Sequence, residues 1–395
     1  MKIKVGVIFG GETVEHEVSI ISAVQAMGFM NEDKYEIIPI YITKDRTWYT
    51  GKMLMEIDVY RNFDDLKKYA KKVVLYKKNG AFVLQSLGLF KRVVSELDIV
   101  LPIVHGNNAE DGTLQGYLES IGIPYAGSRV LGASLGQDKV VMKQVMESNG
   151  LPVVPYTWFY DTDYLTDTDS ILKQIDKIGY PVIVKPASLG SSVGIEVAKS
   201  NKEIDSAIVE AIKYDTKIVV EKKIENLVEV NCSVLGNYEF QNVSAIEEVM
   251  GADEFLSYRD KYIGGSKSKG GSKGMASTNR IIPARIDEKL SDQVKELSKK
   301  VFKVLNMSGV VRIDYLINKK NKKVYVNEPN TIPGSLSFYL WEPVGKKYEE
   351  LLDDIITIAI KDFKNRSKKT YSFDTNILSN AGGFKGSKGL KTKLK

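Results

Sequence analysis

Two short runs of this 395-residue chain carry the residue types that phosphate and metal chemistry require. The first is Val184-Lys-Pro-Ala-Ser-Leu-Gly-Ser-Ser-Val-Gly194. A lysine closes an apolar strand and a Gly/Ser turn follows. Free backbone N–H groups can then wrap phosphate oxygens while Lys185 supplies a point charge. This is not a Walker loop, because the lysine precedes the glycines and no GKS or GKT follows. An ordinary hairpin turn has the same composition, and the run alone does not separate the two. The second is Gly309-Val-Val-Arg-Ile-Asp314 together with Val326-Asn-Glu-Pro-Asn330. Strand alternation puts Arg312 and Asp314 on one face, and Glu328 and Asn330 on one face of the next strand. If the strands pair, three oxygen ligands converge beside a guanidinium, a hard set suited to Mg²⁺ held jointly with phosphates. A surface salt-bridge cluster is the competing reading. Two carboxylates, an Asn and an Arg set among Val and Ile favour the metal.

Lesser pieces are Glu15 in GGETVEHEVS, His105 in HGNNAEDG, Lys139 in GQDK, Glu221-Lys222 in VVEK, and Lys261-Tyr262. His105 follows a buried strand and fits a satisfied core histidine as well as a functional one. His16 is the only other histidine, which excludes a multi-histidine metal site. Gly10-Gly11 lacks the GxGxxG spacing, so nicotinamide and flavin binding are rejected. Cys232 lies inside a predicted strand, where a buried inert thiol is expected.

The elements that must position these groups follow from periodicity. Residues 3–9 read as a buried strand, followed by helical spacing of Val18, Ile21, Ala23, Val24 and Met27. Glu15 and Glu17 fall near the helix start, where the dipole favours anions. Strands are predicted over Tyr35–Ile42, Leu97–Val104 and Ile123–Ala126, with a helix over Asp111–Ser120. Residues 1–125 are therefore an open α/β domain. Beyond Gly150, strands are predicted at Tyr180–Pro186, Ser192–Ala198, Ile218–Lys222 and Glu229–Leu235, with a polar helix at 201–213. A helix over Glu288–Leu305 precedes strands Val310–Ile317 and Lys323–Glu328. The run GGSKSKGGSKG within 258–280 cannot bury a core and reads as a loop or lid. No internal repeat is evident.

Composition excludes several classes. At 43% apolar and 27% charged residues the chain is ordinary for a globular protein. No apolar run reaches the ~18–20 residues of a membrane span, and the N-terminus reads as a strand, not a secretory signal. A single cysteine leaves no internal disulfide framework and fits a reducing, cytoplasmic setting. The net charge of +6 comes from the tail, where residues 361–395 hold ten Lys/Arg against two Asp. The body is slightly acidic, so no nucleic-acid or membrane partner is expected.

Taken in order, GGETVEHEVS, HGNNAEDGTLQG, GIPYAGS, QDK, VKPASLGSSVG, VRIDY and NEPNTIPG resemble the D-alanine–D-alanine ligases of the ATP-grasp superfamily. The resemblance runs from residue 3 to about 360. It implies a three-domain α/β architecture: an N-terminal domain (1–125), a central subdomain (126–217), a C-terminal subdomain (218–365) with a lid at 251–280, and a basic tail (366–395). It implies that Lys139 and Lys185 contact ATP phosphates under a loop of Ser191, Ser192 and Gly194. Glu221 and the backbone from Lys222 to Ile224 would read adenine, and Glu229 the ribose. Asp314, Glu328 and Asn330 would hold two Mg²⁺, with Mn²⁺ able to substitute. Arg312 and the Gly334 amide would stabilise the oxyanion. Glu15 would take the ammonium of the first D-amino acid, with Ser191 and Tyr262 alongside. His105 would lie by that substrate's carboxylate, and Lys261 and Tyr262 would descend with the lid.

The implied reaction phosphorylates one D-alanine and joins it to a second, in a cytoplasmic homodimer serving peptidoglycan synthesis and cell shape. A lid tyrosine, unable to act as a base at neutral pH, implies peptide over ester products. One departure bears on the second substrate. The family pattern has a serine after NTIPG that holds its carboxylate. In Gly334-Ser-Leu-Ser-Phe-Tyr-Leu-Trp-Glu-Pro343, counting from Asn330 puts Tyr339 there and counting back from Pro343 puts Leu340 there. Ser335 and Ser337 are the hydroxyls left to replace it. A different amine acceptor is the alternative reading, and a non-catalytic ATP-binding protein a more distant one.

Overall fold

The structure is a computed structural model that describes residues 2–190, 193–249 and 280–372. Ser191, Ser192, Lys261, Tyr262, residues 251–279 of the expected lid and 373–395 of the tail lie outside the described residues.

Three sheets organise the chain. The first contains β1 (Ile3–Gly10), β2 (Tyr35–Ile42), β3 (Trp48–Thr50), β4 (Lys71–Lys78), β5 (Ala81–Ser86), β6 (Val93–Leu97) and β7 (Ile99–Ile103). Their order is β6-β5-β4-β3-β2-β1-β7. Only β1 with β2 and β1 with β7 pair in parallel; the rest is an antiparallel meander. The expected single strand Leu97–Val104 is two. At Asp98 the chain turns from antiparallel pairing with β5 to parallel pairing with β1, and the Asp98 carboxylate accepts from the Lys4 N–H at 2.8 Å. The expected strand at Ile123–Ala126 is one bridge, Tyr125 to Val100. Helix His16–Phe29 starts directly after Glu15.

The second sheet holds β8 (Tyr156–Tyr160), β9 (Val182–Pro186), β10 (Glu196–Ala198) and β11 (Lys217–Lys222), in the order β10-β9-β11-β8. Because β11 pairs with both β8 and β9, it belongs to this sheet, and the expected division between residues 217 and 218 passes through it. The third sheet is antiparallel: β12 (Leu227–Gly236), β13 (Gln241–Val249), β14 (Arg280–Ile281), β15 (Gly309–Asn318) and β16 (Val324–Asn330), in the order β14-β13-β12-β15-β16.

Each sheet has its own apolar core, and the cores cross the sequence boundaries. Leu351, Leu352, Ile355 and Ile356 of helix Tyr348–Ser367 join the core of the first sheet, so this helix closes onto the N-terminal strands. Met142 and Met146 of helix Lys139–Ser148 pack with Val230, Val311 and Phe302 under the third sheet. That packing brings the start of the helix, with Lys139, to the β15–β16 edge.

Candidate active site

The expected nucleotide side is built around one buried carboxylate. Glu221 on β11 is 1% exposed. Lys185, one strand over on β9, donates to its Oε2 at 2.7 Å, and Lys143 Nζ lies 3.1 Å from its Oε1. Burial works against ionisation, but the two ammoniums hold the Glu221 carboxyl down to about 2. Lys185 also feels Glu328 and Glu229, which with Glu221 outweigh its burial and raise its pKa. Lys139 Nζ donates to the Leu189 carbonyl at 2.8 Å and lies 3.5 Å from Glu328 Oε2. The Lys222 side chain is spent on the carbonyls of Gly179 and Tyr180 and its N–H on the Pro155 carbonyl, and half-buried Ile224 follows just beyond β11. Gly194 has φ +69°, and a Cβ there would meet Tyr214 at 2.5 Å, so the turn that carries it needs glycine.

The metal expectation rests on register. β15 pairs with β16 so that Arg312 faces Asn330 and Asp314 faces Glu328. Arg312 donates Nε to Asp314 Oδ1 at 2.7 Å and Nη2 to Oδ2 at 2.8 Å, and Asn330 Nδ2 donates to Oδ2 at 3.1 Å. Two carboxylates and an amide oxygen source therefore converge beside a cation, a donor set of hard oxygens that fits Mg²⁺.

A cavity of about 440 Å³ lies next to Glu15, lined also by Thr13, Lys44, Gly106, Asn107 and Leu189. It is bounded on one side by the first sheet's loops and on the other by the Gly/Ser turn. At Gly106, φ is +81° and a Cβ would stand 2.4 Å from Thr13 Oγ1, so a side chain there would push into the wall beside Glu15. His105 does not line this cavity. Its Nδ1–H donates to the Ile332 carbonyl at 2.7 Å, and its Nε2 accepts from Ser22 Oγ at 2.9 Å. Ser22 Oγ in turn accepts from the Ser335 N–H at 3.0 Å. Burial keeps the ring pKa low, consistent with this neutral tautomer. His105 thus ties the Ile332–Ser335 loop, which contains Gly334, to the first domain. Of the two readings left open by its sequence context, the satisfied buried histidine matches these contacts, and the charges of Glu15 and Arg312 act on the ring. His16 is likewise satisfied, between the Gly11 carbonyl and the Tyr41 hydroxyl. Cys232 is buried and its thiol pushed up by burial, as an inert thiol should be.

Across the third sheet the polar face continues away from the β15–β16 end. Asn231 on β12 faces Asp314 on one side and Glu247 on the other. Glu247, 3% exposed, accepts from Asn231 Nδ2 at 2.8 Å and from the Tyr339 hydroxyl at 3.3 Å, and pairs with Arg280 at 3.4 Å. The Arg280 guanidinium stacks 3.8 Å over the Tyr339 ring. Trp341 Nε1 donates to Ser233 Oγ at 3.1 Å. Between the two counts for the missing serine, Tyr339 is the residue on this polar face, whereas Leu340 is sunk in the core. Ser335, Leu336 and Ser337 all adopt positive φ, near 50°, and the Ser335 and Ser337 hydroxyls are buried without a hydrogen-bond partner among the described residues.

Four residues of the site went unread in the sequence. Glu110 accepts from the N–H groups of Gly106 at 2.8 Å and Ile332 at 3.1 Å. Burial, then the nearby Glu15 carboxylate, pushes it up to about 8. Lys143 sits four residues after Lys139 and three from both Val140 and Met146, the spacing of a buried helix stripe, which was its available signal. Glu247 and Arg280 had none, because the pairing of β13 with β14 that brings them near Tyr339 spans residues 250–279.

Comparison with known proteins agrees with this geometry. The model "D-ala D-ala ligase N-terminus" matches residues 4–128, and "D-ala D-ala ligase C-terminus" matches residues 145–357. The D-alanine–D-alanine ligase of Thermosipho melanesiensis is 40% identical over 95% of this chain and 98% of its own. The D-alanine-D-alanine ligase from Coxiella burnetii superposes with a TM-score of 0.79 at 29% identity, covering 93% of this chain and 96% of that one. VanG D-Ala:D-Ser ligase from Enterococcus faecalis follows at 0.76 and 29%, covering 91% and 100%. The chain belongs to the D-alanine–D-alanine ligase family, with its ATP-grasp architecture.

Proposed function

We propose that this chain is an ATP-dependent ligase that joins two D-alanines into D-alanyl-D-alanine for peptidoglycan. The observation that carries the reading is the β15–β16 register, with Arg312, Asp314, Glu328 and Asn330 on one face beside Lys139. Asp314, Glu328 and Asn330 would hold two Mg²⁺, or Mn²⁺, and bound metal supplies charge neutralisation at the phosphates. Lys139 and Lys185 hold phosphate oxygens, exchanging their present carbonyl and carboxylate partners for them. Glu221 and the backbone from Lys222 to Ile224 read adenine, and Glu229 takes the ribose. Glu15 orients the donor D-alanine by its ammonium.

A donor carboxylate oxygen takes the γ-phosphoryl group, and ADP leaves. The acceptor's amine nitrogen then attacks the acyl carbon of the acylphosphate. Arg312 and the Gly334 N–H stabilise the oxyanion, the C–O bond to phosphate breaks, and the nitrogen gives up its proton. Roles for Ser191, Ser192, Lys261 and Tyr262 rest on the family resemblance alone. A cytoplasmic homodimer is the assembly this reading implies.

The test is phosphate release from ATP and Mg²⁺ with D-alanine as the sole amino acid, with product analysis. Dipeptide formation is expected. Release only after a second, different amine is added would move the reading to another acceptor, which the Tyr339–Arg280 stack in place of the family serine favours as the second reading. Nucleotide binding with no release under any pairing would leave a non-catalytic binder.

A further inference from the structure

Lys143 is assigned no role in the reaction above, yet it is among the largest side chains with no exposed surface at all. It lies on helix Lys139–Ser148 between Val140 and Met146, both buried. A leucine or methionine would pack there without desolvating a charge, so an ammonium in this place needs a reason. Its ion-pair partner is Glu221 Oε1 at 3.1 Å, and on the other side its Nζ stands 5.7 Å from the centroid of the Tyr156 ring. Burial lowers its pKa, and the neighbouring Lys185 lowers it further, while Glu221 and Glu328 oppose both.

The two lysines on Glu221 are not equivalent. Lys185 closes β9 just before the Gly/Ser turn, and the carboxylates of Glu328 and Glu229 also act on it. It sits where a phosphate would arrive. Lys143 approaches the same carboxylate from inside the protein and has no route to a ligand. When Lys185 turns to a phosphate, Glu221 loses its 2.7 Å partner. A buried carboxylate left alone would either take up a proton or call Lys185 back. Either outcome weakens nucleotide binding.

We infer that Lys143 is a positioning residue that keeps Glu221 ionised and in place after Lys185 has been handed to the nucleotide, and thereby sets base selectivity. The inference rests on the proposed reading that Glu221 faces the adenine edge. An ionised carboxylate accepts from the 6-amino group of adenine and repels the 6-oxo group that hypoxanthine carries at that position. A protonated or displaced Glu221 discriminates less.

The test compares ATP with ITP in steady-state kinetics and in binding of their non-hydrolysable analogues. Lys143→Met should raise the ATP KM about tenfold or more and shrink the ATP/ITP preference by a similar factor, the scale of one lost buried ion pair. The KM for D-alanine should stay within about twofold, which a general loss of structure would not permit. Lys143→Arg should recover most of the preference. An unchanged ATP/ITP ratio in a folded Lys143→Met variant would overturn the inference. Should that variant fail to fold, Glu221→Gln with and without Lys143→Met decides, since the double change removes the carboxylate together with the ammonium paired to it from inside, while Lys185 keeps Glu328 and Glu229 nearby. Equal ATP KM values in the two backgrounds are expected, and a further loss on adding Lys143→Met would count against positioning. Glu221→Gln also separates the premise: if it leaves the ATP/ITP preference intact, the adenine assignment fails first.

Discussion

The two ends of the polar face on the third sheet are built by different rules. At the β15–β16 end, Arg312, Asp314, Glu328 and Asn330 are brought face to face by the backbone ladder, which shifts register only after Asp314, and Arg312 and Asn330 then hydrogen-bond Asp314. At the β13–β14 end, Glu247 and Arg280 meet Tyr339, which comes from a short helix entered through three successive residues of positive φ. The first end tolerates little change, since a shift of one residue would turn every ligand to the other face. The second is set by side-chain packing and can be re-cut without disturbing the first. On the proposed reading, phosphoryl chemistry sits on the rigid end and recognition of the acceptor falls to the adjustable one.

Substitutions at the rigid end should have the largest effects. Asp314→Ala or Glu328→Ala is expected to lower phosphate release by about 10³-fold or more and weaken metal-dependent ATP binding. Asp314→Ala also strips Arg312 of its bidentate partner. Near-normal turnover of either variant at saturating Mg²⁺ would remove that carboxylate from the metal site. Glu15→Gln removes a charge that the proposed reading places on the donor and away from ATP. The expected change is a rise in donor D-alanine KM of roughly 10- to 100-fold, the scale of a charged hydrogen bond, with ATP binding intact. Impaired ATP binding would break the assignment.

The adjustable end should answer more weakly and more selectively. Arg280→Met is expected to raise the acceptor KM about tenfold while ATP and donor KM stay within about twofold. Equal effects on all three substrates would mean that the stack on Tyr339 only supports the fold.

The same contrast explains what could be read in the sequence. Alternation in GVVRID and VNEPN, together with their apolar neighbours, predicts a paired two-strand site, and the register delivers it. The meander from β3 to β6 went unread, although Asn79-Gly80 between KKVVLYKK and AFVLQS is a hairpin signal, and both residues adopt positive φ. Glu247 and Arg280 could not be read in the same way. Their meeting with Tyr339 depends on long-range pairing and on how a strained turn aims one aromatic ring, and neither leaves a local pattern.

The smallest expected effect concerns Glu110, which joins the cavity beside Glu15 to the Gly334 loop through the N–H groups of Gly106 and Ile332. Burial first, then the charge of Glu15, raises its carboxyl to about 8; those two N–H groups and Arg312 work in the opposite direction. At pH 7 Glu110 is therefore mostly protonated, and it ionises as the pH rises through about 8. Ionisation adds a negative charge near the site proposed for the donor's ammonium. Donor affinity should accordingly strengthen by about two- to fivefold between pH 7 and 9, a modest gain because the charges are partly solvated. In the absence of substrate the sign for stability is reversed. The folded state keeps a proton that the unfolded chain releases near its reference pKa of about 4.3, so this group's contribution falls as pH rises from there to about 8. Glu110→Gln cannot titrate, so relative to it the wild type should lose stability and gain donor affinity over those windows. Parallel pH profiles of wild type and Glu110→Gln, in both donor KM and melting temperature, would show that Glu110 is ionised throughout and that its role is confined to the two backbone hydrogen bonds.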